Sequence, residues 1–269
     1  MVGARHAVPL FTRMSLANIF MMIAAAFTAG VINSIAGGGT LITFPVLIWL
    51  GLDPKVANAT STVALWPGLF GGLFGYRREL ENSSTILLRL GITSVIGGAI
   101  GAWLLIWTPS PIFAYLVPFL ILFATILFMA GGSINRWLRL QPIDSKPKMS
   151  WWLGAIVFQF FSSMYGGYFG AGNGILMLAA MALLGLHDLN RANGIKNFLG
   201  ICINSIAVVS FGVTHLVVWN DALLMAVAAL AGGYFGAKMA VSIGQIAIRR
   251  AIVVIGFVIT LAMLWRLWG

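Results

Sequence analysis

Apolar segments follow one another from Ser15 to Trp268, separated by short turns that hold most of the charge. The chain of 269 residues is 60% hydrophobic and 8% charged, whereas soluble domains carry about 25% charged residues. One aqueous core cannot absorb that much apolar surface. The chain therefore reads as an all-α polytopic membrane protein. Its net charge of +10 lies mainly in the turns, without interleaved aromatics. That distribution fits anionic lipid headgroups and the positive-inside rule, and it argues against a nucleic-acid partner. The single cysteine, Cys202, excludes an internal disulfide and a multi-cysteine metal site. The basic, then apolar, N-terminus imitates a signal peptide, but the apolar run continues into Val31–Ala36. It is read as a first membrane helix.

The chain is written twice. "AGGGTLITFPVLIWLGLDPKVANATST" has its counterpart in "GAGNGILMLAAMALLGLHDLNRANGIKN", with Gly38 matching Gly172 and Gly51 matching Gly185 at an offset of 134. Beyond one inserted residue, Asn58 matches Asn193 and "GGAIGAW" matches "GGYFGAK" at 135. The expected organisation is an N-terminal tail over 1–14, a membrane repeat over 15–133, a basic linker over 134–150 and a second repeat over 151–269. Each repeat holds five apolar segments, giving about 8–10 membrane segments in all. In the first they are Ser15–Ala36, Thr40–Leu50, Ala59–Tyr76, Ile86–Trp107 and Ile112–Gly131. In the second they are Trp151–Phe169, Ile175–Leu186, Asn193–Phe211, Asp221–Val241 and Ala251–Trp268. A span needs about twenty residues, so the second segment of each repeat is a half-helix following a glycine break.

Arg136, Arg139, Lys146 and Lys148 mark the linker as cytoplasmic, and Arg77, Arg78, Arg249 and Arg250 point the same way. The uncharged "TPSP" at Thr108–Pro111 belongs outside, although it matches the place of the basic loop before Arg249. The two repeats are thus expected to be inverted. Arg5 and Arg13 disagree, because this scheme puts them outside.

Helices break in hydrocarbon only where protein or a wet cavity satisfies the freed backbone. A new helix starting near Thr40, or after "AGNG" at Ala171–Gly174, would turn unpaired N–H groups and a partial positive charge toward a ligand. Close helix packing is the competing use of such glycines. The expected anion site uses backbone donors at Gly38, Gly39, Thr40, Asn173 and Gly174, with Asn58, Thr60, Ser61, Asn193 and Asn197 orienting the solute. Asn193, Asn197, Gly200 and Asn204 share one helical face, with Lys196 at its edge. Lys196 either attracts the anionic solute or snorkels to headgroups. All six acids, Asp221 among them, fall in turns or at segment ends. No carboxylate is thus offered for a proton relay, and the anion's own gradient is left as the driving force. Gln159 and Tyr165 line a cavity or bond between helices. His6, His187 and His215 lack partners at ligand spacing, so neither metal nor cofactor is expected.

"AGVINSIAGGGTLITFPVLIWLGLDPKVANATST", "GYFGAGNGILMLAAMALLGLHDLNRANGIKN" and "GAKMAVSIGQIAIRRAIVVIG" resemble the sulfite exporter TauE/SafE family of bacterial permeases over nearly the whole chain. Asn173 replaces a glycine expected in a symmetrical second motif. The resemblance implies a multi-pass inner-membrane exporter of small anionic sulfur compounds, such as sulfite or organosulfonates. A passive anion channel and a membrane enzyme or assembly factor are the alternatives. The first would show conductance, and the second needs an acid, histidine or cysteine cluster that the sequence does not supply.

Overall fold

The computed structural model describes residues 15–81, 83–140, 149–186, 188–239 and 245–268. The tail with Arg5, His6 and Arg13, the linker positions Asp144, Lys146 and Lys148, and His187 lie outside them. Ten α-helices make up the described chain: α1 Leu16–Ile35, α2 Thr40–Trp49, α3 Pro54–Gly75, α4 Ser84–Trp107, α5 Ser110–Leu140, α6 Met149–Tyr168, α7 Asn173–Leu183, α8 Leu189–Val213, α9 Trp219–Met239 and α10 Gln245–Trp268. A 3-10 turn at Arg77–Leu80 joins α3 to α4. Five helices (α1, α4, the Ser110–Ala130 part of α5, α8 and α9) are long and apolar enough to cross a bilayer. Their outward side chains are apolar and bare, as at Val227, 73% exposed, and Leu88, 66% exposed. This is an all-α polytopic membrane protein.

All ten segments expected from the apolar pattern are present as helices. The third of each set starts earlier than the apolar pattern does. Asp53 accepts from the Lys55 N–H and Asp188 from the N–H groups of Asn190 and Arg191, so each caps a helix whose first turn is polar. The two aspartates are again 135 residues apart.

Small residues decide how the helices pair. Gly68 of α3 lies on Ala229 of α9 and Gly75 on Ala237, so these two helices run parallel. Phe27 and Val31 of α1 meet Gly232 and Gly236 in the same sense. Likewise Gly97 and Gly101 of α4 meet Phe160 and Met164 of α6, and Gly91 and Gly98 meet Phe198 and Ile203 of α8. Two three-helix groups result, α1–α3–α9 and α6–α8–α4. They run in opposite directions, because Gly72 of α3 faces Asn197 of α8 while Leu69 faces Gly200. Each group takes two helices from one half of the chain and one from the other. Behind them, α5 and α10 pack together.

Each half-length helix packs on its own group, α2 on α1 and α3, and α7 on α6 and α8. At 1.5 Å per residue, α2 and α7 reach only about 15 Å, half of the hydrocarbon thickness. Gly39 lies on Ala29, so α2 folds back along α1. Gly37 and Gly38 hold φ of 71° and 115°, and Gly170 and Gly172 hold 79° and 75°. Such values favour glycine. The two breaks then touch. A Cβ on Gly174 would stand 2.6 Å from the Gly37 Cα and 2.9 Å from the Ala36 O.

Gly174→Ala is expected to abolish the monodisperse folded protein, because only backbone lies in the way of the methyl group. Gly154→Ala meets nothing within 4 Å and should hold or raise Tm, by about 0.5–1 kcal/mol of helix preference. Size-exclusion chromatography and thermal scans in detergent check both.

Candidate functional site

Each broken helix leaves carbonyls at its end and N–H groups at the next start. The carbonyls are taken by the third helix of the other half. Lys196 of α8 donates to Asn33 O at 2.9 Å and Ser34 O at 3.0 Å, both at the end of α1. It also donates to its neighbour Asn193 Oδ1 at 3.0 Å. Asn58 of α3, 135 residues before Asn193, donates its amide to Tyr168 O, 3.0 Å away at the end of α6. Placing a lysine in the membrane costs about 2.5–3.5 kcal/mol. Hydrogen bonds to a charged donor contribute about 1.5–3 kcal/mol each, so three of them offset that cost. Lys196 therefore sits 3% exposed on helix carbonyls, which carry the negative end of the α1 dipole. The ammonium does not reach out to headgroups.

The N–H groups are treated differently. Asn33 Oδ1 accepts from Gly38 N at 2.8 Å and from Gly39 N at 2.7 Å. Two of the donors expected to face a solute are thereby spent on a side chain of α1. Thr40 N–H, and Gly174 N–H at the matching place in the second break, find no acceptor among the described residues. Asn173 accepts from Ser162 Oγ at 2.7 Å, and Tyr165 caps Ala171 O at 2.6 Å.

Where the breaks cross, a cavity of about 50 Å³ remains. A single water needs roughly 10–15 Å³ on that measure, so a few waters or one small anion can enter. Gly37, Gly38 and Thr40 line it from one break, and Gly170, Asn173 and Gly174 from the other. Thr62, Leu65 and Leu69 of α3 face it together with Asn197, Gly200 and Asn204 of α8. These two sets match one for one at the offset of 135. Lys196 and Asn33 line it as well, beside the apolar Phe169, Met177 and Ile203. The Asn197 side chain is fully buried here, and neither its Nδ2 nor its Oδ1 has a hydrogen-bond partner. A buried amide without partners costs free energy, and this one lies against Gly72 of α3 on the wall of the cavity.

Of the sequence-selected residues, Gly38, Thr40, Asn173, Gly174, Lys196 and Asn197 line this cavity. Gly39 packs on Ala29. Asn58 and Asn193 hold helix ends as described. Ser61 Oγ pairs with Thr43 Oγ1 at 2.6 Å, and Thr60 Oγ1 accepts from Val218 N at 3.1 Å, which ties the turn before α9 to α3. Both serve packing. Gln159 bonds between helices, to Ser94 Oγ at 2.9 Å and Ser163 Oγ at 3.1 Å. Asn33 is a polar lining residue that sequence reasoning passed over. An amide four residues before a glycine run was the available signal for Asn33.

Two opposed groups of apolar helices around a polar crossing of two broken ones have the build of a membrane transport protein. The chain belongs to the sulfite exporter TauE/SafE family, whose profile matches residues 22–263. It is 30% identical over 247 residues to a "Probable membrane transporter protein" of Haemophilus influenzae, covering 91% of this chain and 94% of that one. It is 26% identical over 245 residues to the "Probable membrane transporter protein YfcA" of Escherichia coli K12, covering 91% and 88%. A Sinorhizobium relative, "Probable membrane transporter protein ORF9", is 25% identical over 246 residues, covering 90% and 91%. No solved structure matches the chain.

Asn33→Ala is expected to destabilise the protein by roughly 1–3 kcal/mol, since two N–H groups lose their acceptor at a closely packed crossing. A thermal scan in detergent reads this as a lower Tm. An unchanged Tm means that water takes the place of the amide.

Proposed function

We propose that this protein is a secondary transporter that carries small anions, sulfite or organosulfonates, outward across a bacterial inner membrane. The anion would occupy the cavity at the crossing, receiving the Thr40 and Gly174 N–H groups and the Asn197 amide, with the Lys196 charge beside it. The observation that carries this reading is Asn197: a fully buried amide, unpartnered on both atoms, on the wall of a cavity that two helix starts face. The family's printed description names sulfite, and the cavity has the size of a small oxyanion.

The two halves are read as inverted copies. In support, each helix of the group α1–α3–α9 has its sequence counterpart in α6–α8–α4, which runs the opposite way. Alternating access then tilts one group against the other about the crossing. Arg77 and Arg78 follow α3, and Arg191 begins α8 at the same end of the molecule. We assign that end to the cytoplasm.

A channel would share the wet crossing but not the carrier kinetics. Proteoliposomes loaded with sulfite, ethanesulfonate, sulfate or acetate and assayed for saturable flux and counterflow separate the two, since conductance without counterflow identifies a channel. Asn197→Val removes an amide that bonds to nothing in the protein, so Tm should hold or rise. Saturable flux of the transported anion should fall at least about tenfold, the weight of one 1.4 kcal/mol contact. Wild-type flux in a stable Asn197→Val protein would remove the amide from the site.

A further inference from the structure

Asp221 is the acid that the apolar pattern left at a segment end, and the structure buries it completely. It lies in the first turn of α9 at 0% exposure, and neither carboxyl oxygen has a hydrogen-bond partner. The elements packed on α9 are α1 and α3. Helix α1 carries no ionisable side chain, and α3 carries one, Lys55. The Lys55 ammonium is already held by Ile106 O at 2.7 Å and Thr108 O at 2.8 Å, the final carbonyls of α4. Asp53, at the cap of α3, accepts from the Lys55 backbone N–H. His215 stands in the turn before α9, outside the helix. No described side chain supplies Asp221 with a donor or a countercharge.

A carboxylate stripped of water, donor and countercharge is far costlier than a neutral carboxyl. The α9 N-terminus favours the anion, but a helix dipole is the smaller effect. Asp221 is therefore neutral while its surroundings stay dry, and ionised once water reaches it. Its place makes that change useful. The Gly68–Ala229 and Thr60–Val218 contacts set Asp221 level with Thr60 on α3, and Thr62 of the same helix lines the cavity. Helix α3 thus runs past both Asp221 and the cavity.

We propose that Asp221 binds a proton in this conformation and that its release, when the α3–α9 end opens to water, is coupled to movement of the anion in the cavity. On opening, the carboxyl O–H breaks, its proton passes to water at that face, and the carboxylate remains hydrated. On closing, the proton returns before the helices seal. Opening of that end is then gated by the proton, while the anion's own gradient drives the flux. This inference rests on the carrier reading above.

Two measurements on purified full-length protein test it. Infrared difference titration in lipid nanodiscs should show a protonated-carboxyl band at neutral pH, present in the wild type and in Asp221→Glu, and absent in Asp221→Asn. In proteoliposomes with equal pH on both sides, counterflow of labelled ethanesulfonate, whose own charge is fixed across the range, should rise at least about tenfold between about pH 5 and about pH 8, because losing the proton frees the α3–α9 end. Asp221→Asn, which mimics the neutral carboxyl in shape, should lose that rise. The proposal is overturned if Asp221→Asn retains the rise, or if the carboxyl band survives the substitution. A wild-type protein without counterflow for any anion would instead sink the carrier reading, and the infrared band would still decide whether Asp221 holds a proton.

Discussion

Everything in this molecule depends on how two interrupted helices are kept inside an apolar medium. Breaking a helix in hydrocarbon frees carbonyls and N–H groups that lipid cannot satisfy. Here the freed carbonyls of α1 and α6 are satisfied across the molecule, by Lys196 of α8 and by Asn58 of α3. Each half therefore holds the other half open. The exchange also locks the two groups of helices together at the crossing, where Gly37 and Gly174 leave no room for a side chain.

The crossing is symmetrical in plan and unequal in chemistry. Lys196 occupies the place that Ser61 has in the first half, so one break carries an ammonium and the other a hydroxyl pair with Thr43. Asn33 satisfies two N–H groups of the first break, while its counterpart by sequence is Gly167. On the function proposed above, a positive charge on one side and spare donors on both would give a small anion a preferred position in the cavity.

Burial gives polar groups here two distinct fates. Lys55 and Lys196 enter the protein but end on the carbonyls of helix ends, where the dipole favours them. Asn197 and Asp221 enter with no partner at all. The first pair explains how the chain stays folded, and the second pair carries the two proposals made above, for a solute and for a proton.

Sequence alone disclosed the helices and their breaks. Apolar length and glycine runs are local properties, and each expected segment, including the two half-length ones, is a helix in the structure. The duplication was legible because positions at a constant offset keep the same residue types, as at Asp53 and Asp188. What tertiary structure alone decided is which polar groups meet. Lys196 was read as waiting for a solute or for headgroups, and 162 residues separate it from the Ser34 carbonyl that it reaches. Gly38 and Gly39 were read as free donors, yet the fold aims Asn33 at them. Asp221 was read as a segment end, and the packing of α9 on α1 and α3 turned it into a dry, unpartnered acid. Local pattern determines where a helix can exist in lipid, whereas hydrogen-bond satisfaction there is settled between helices far apart in the chain.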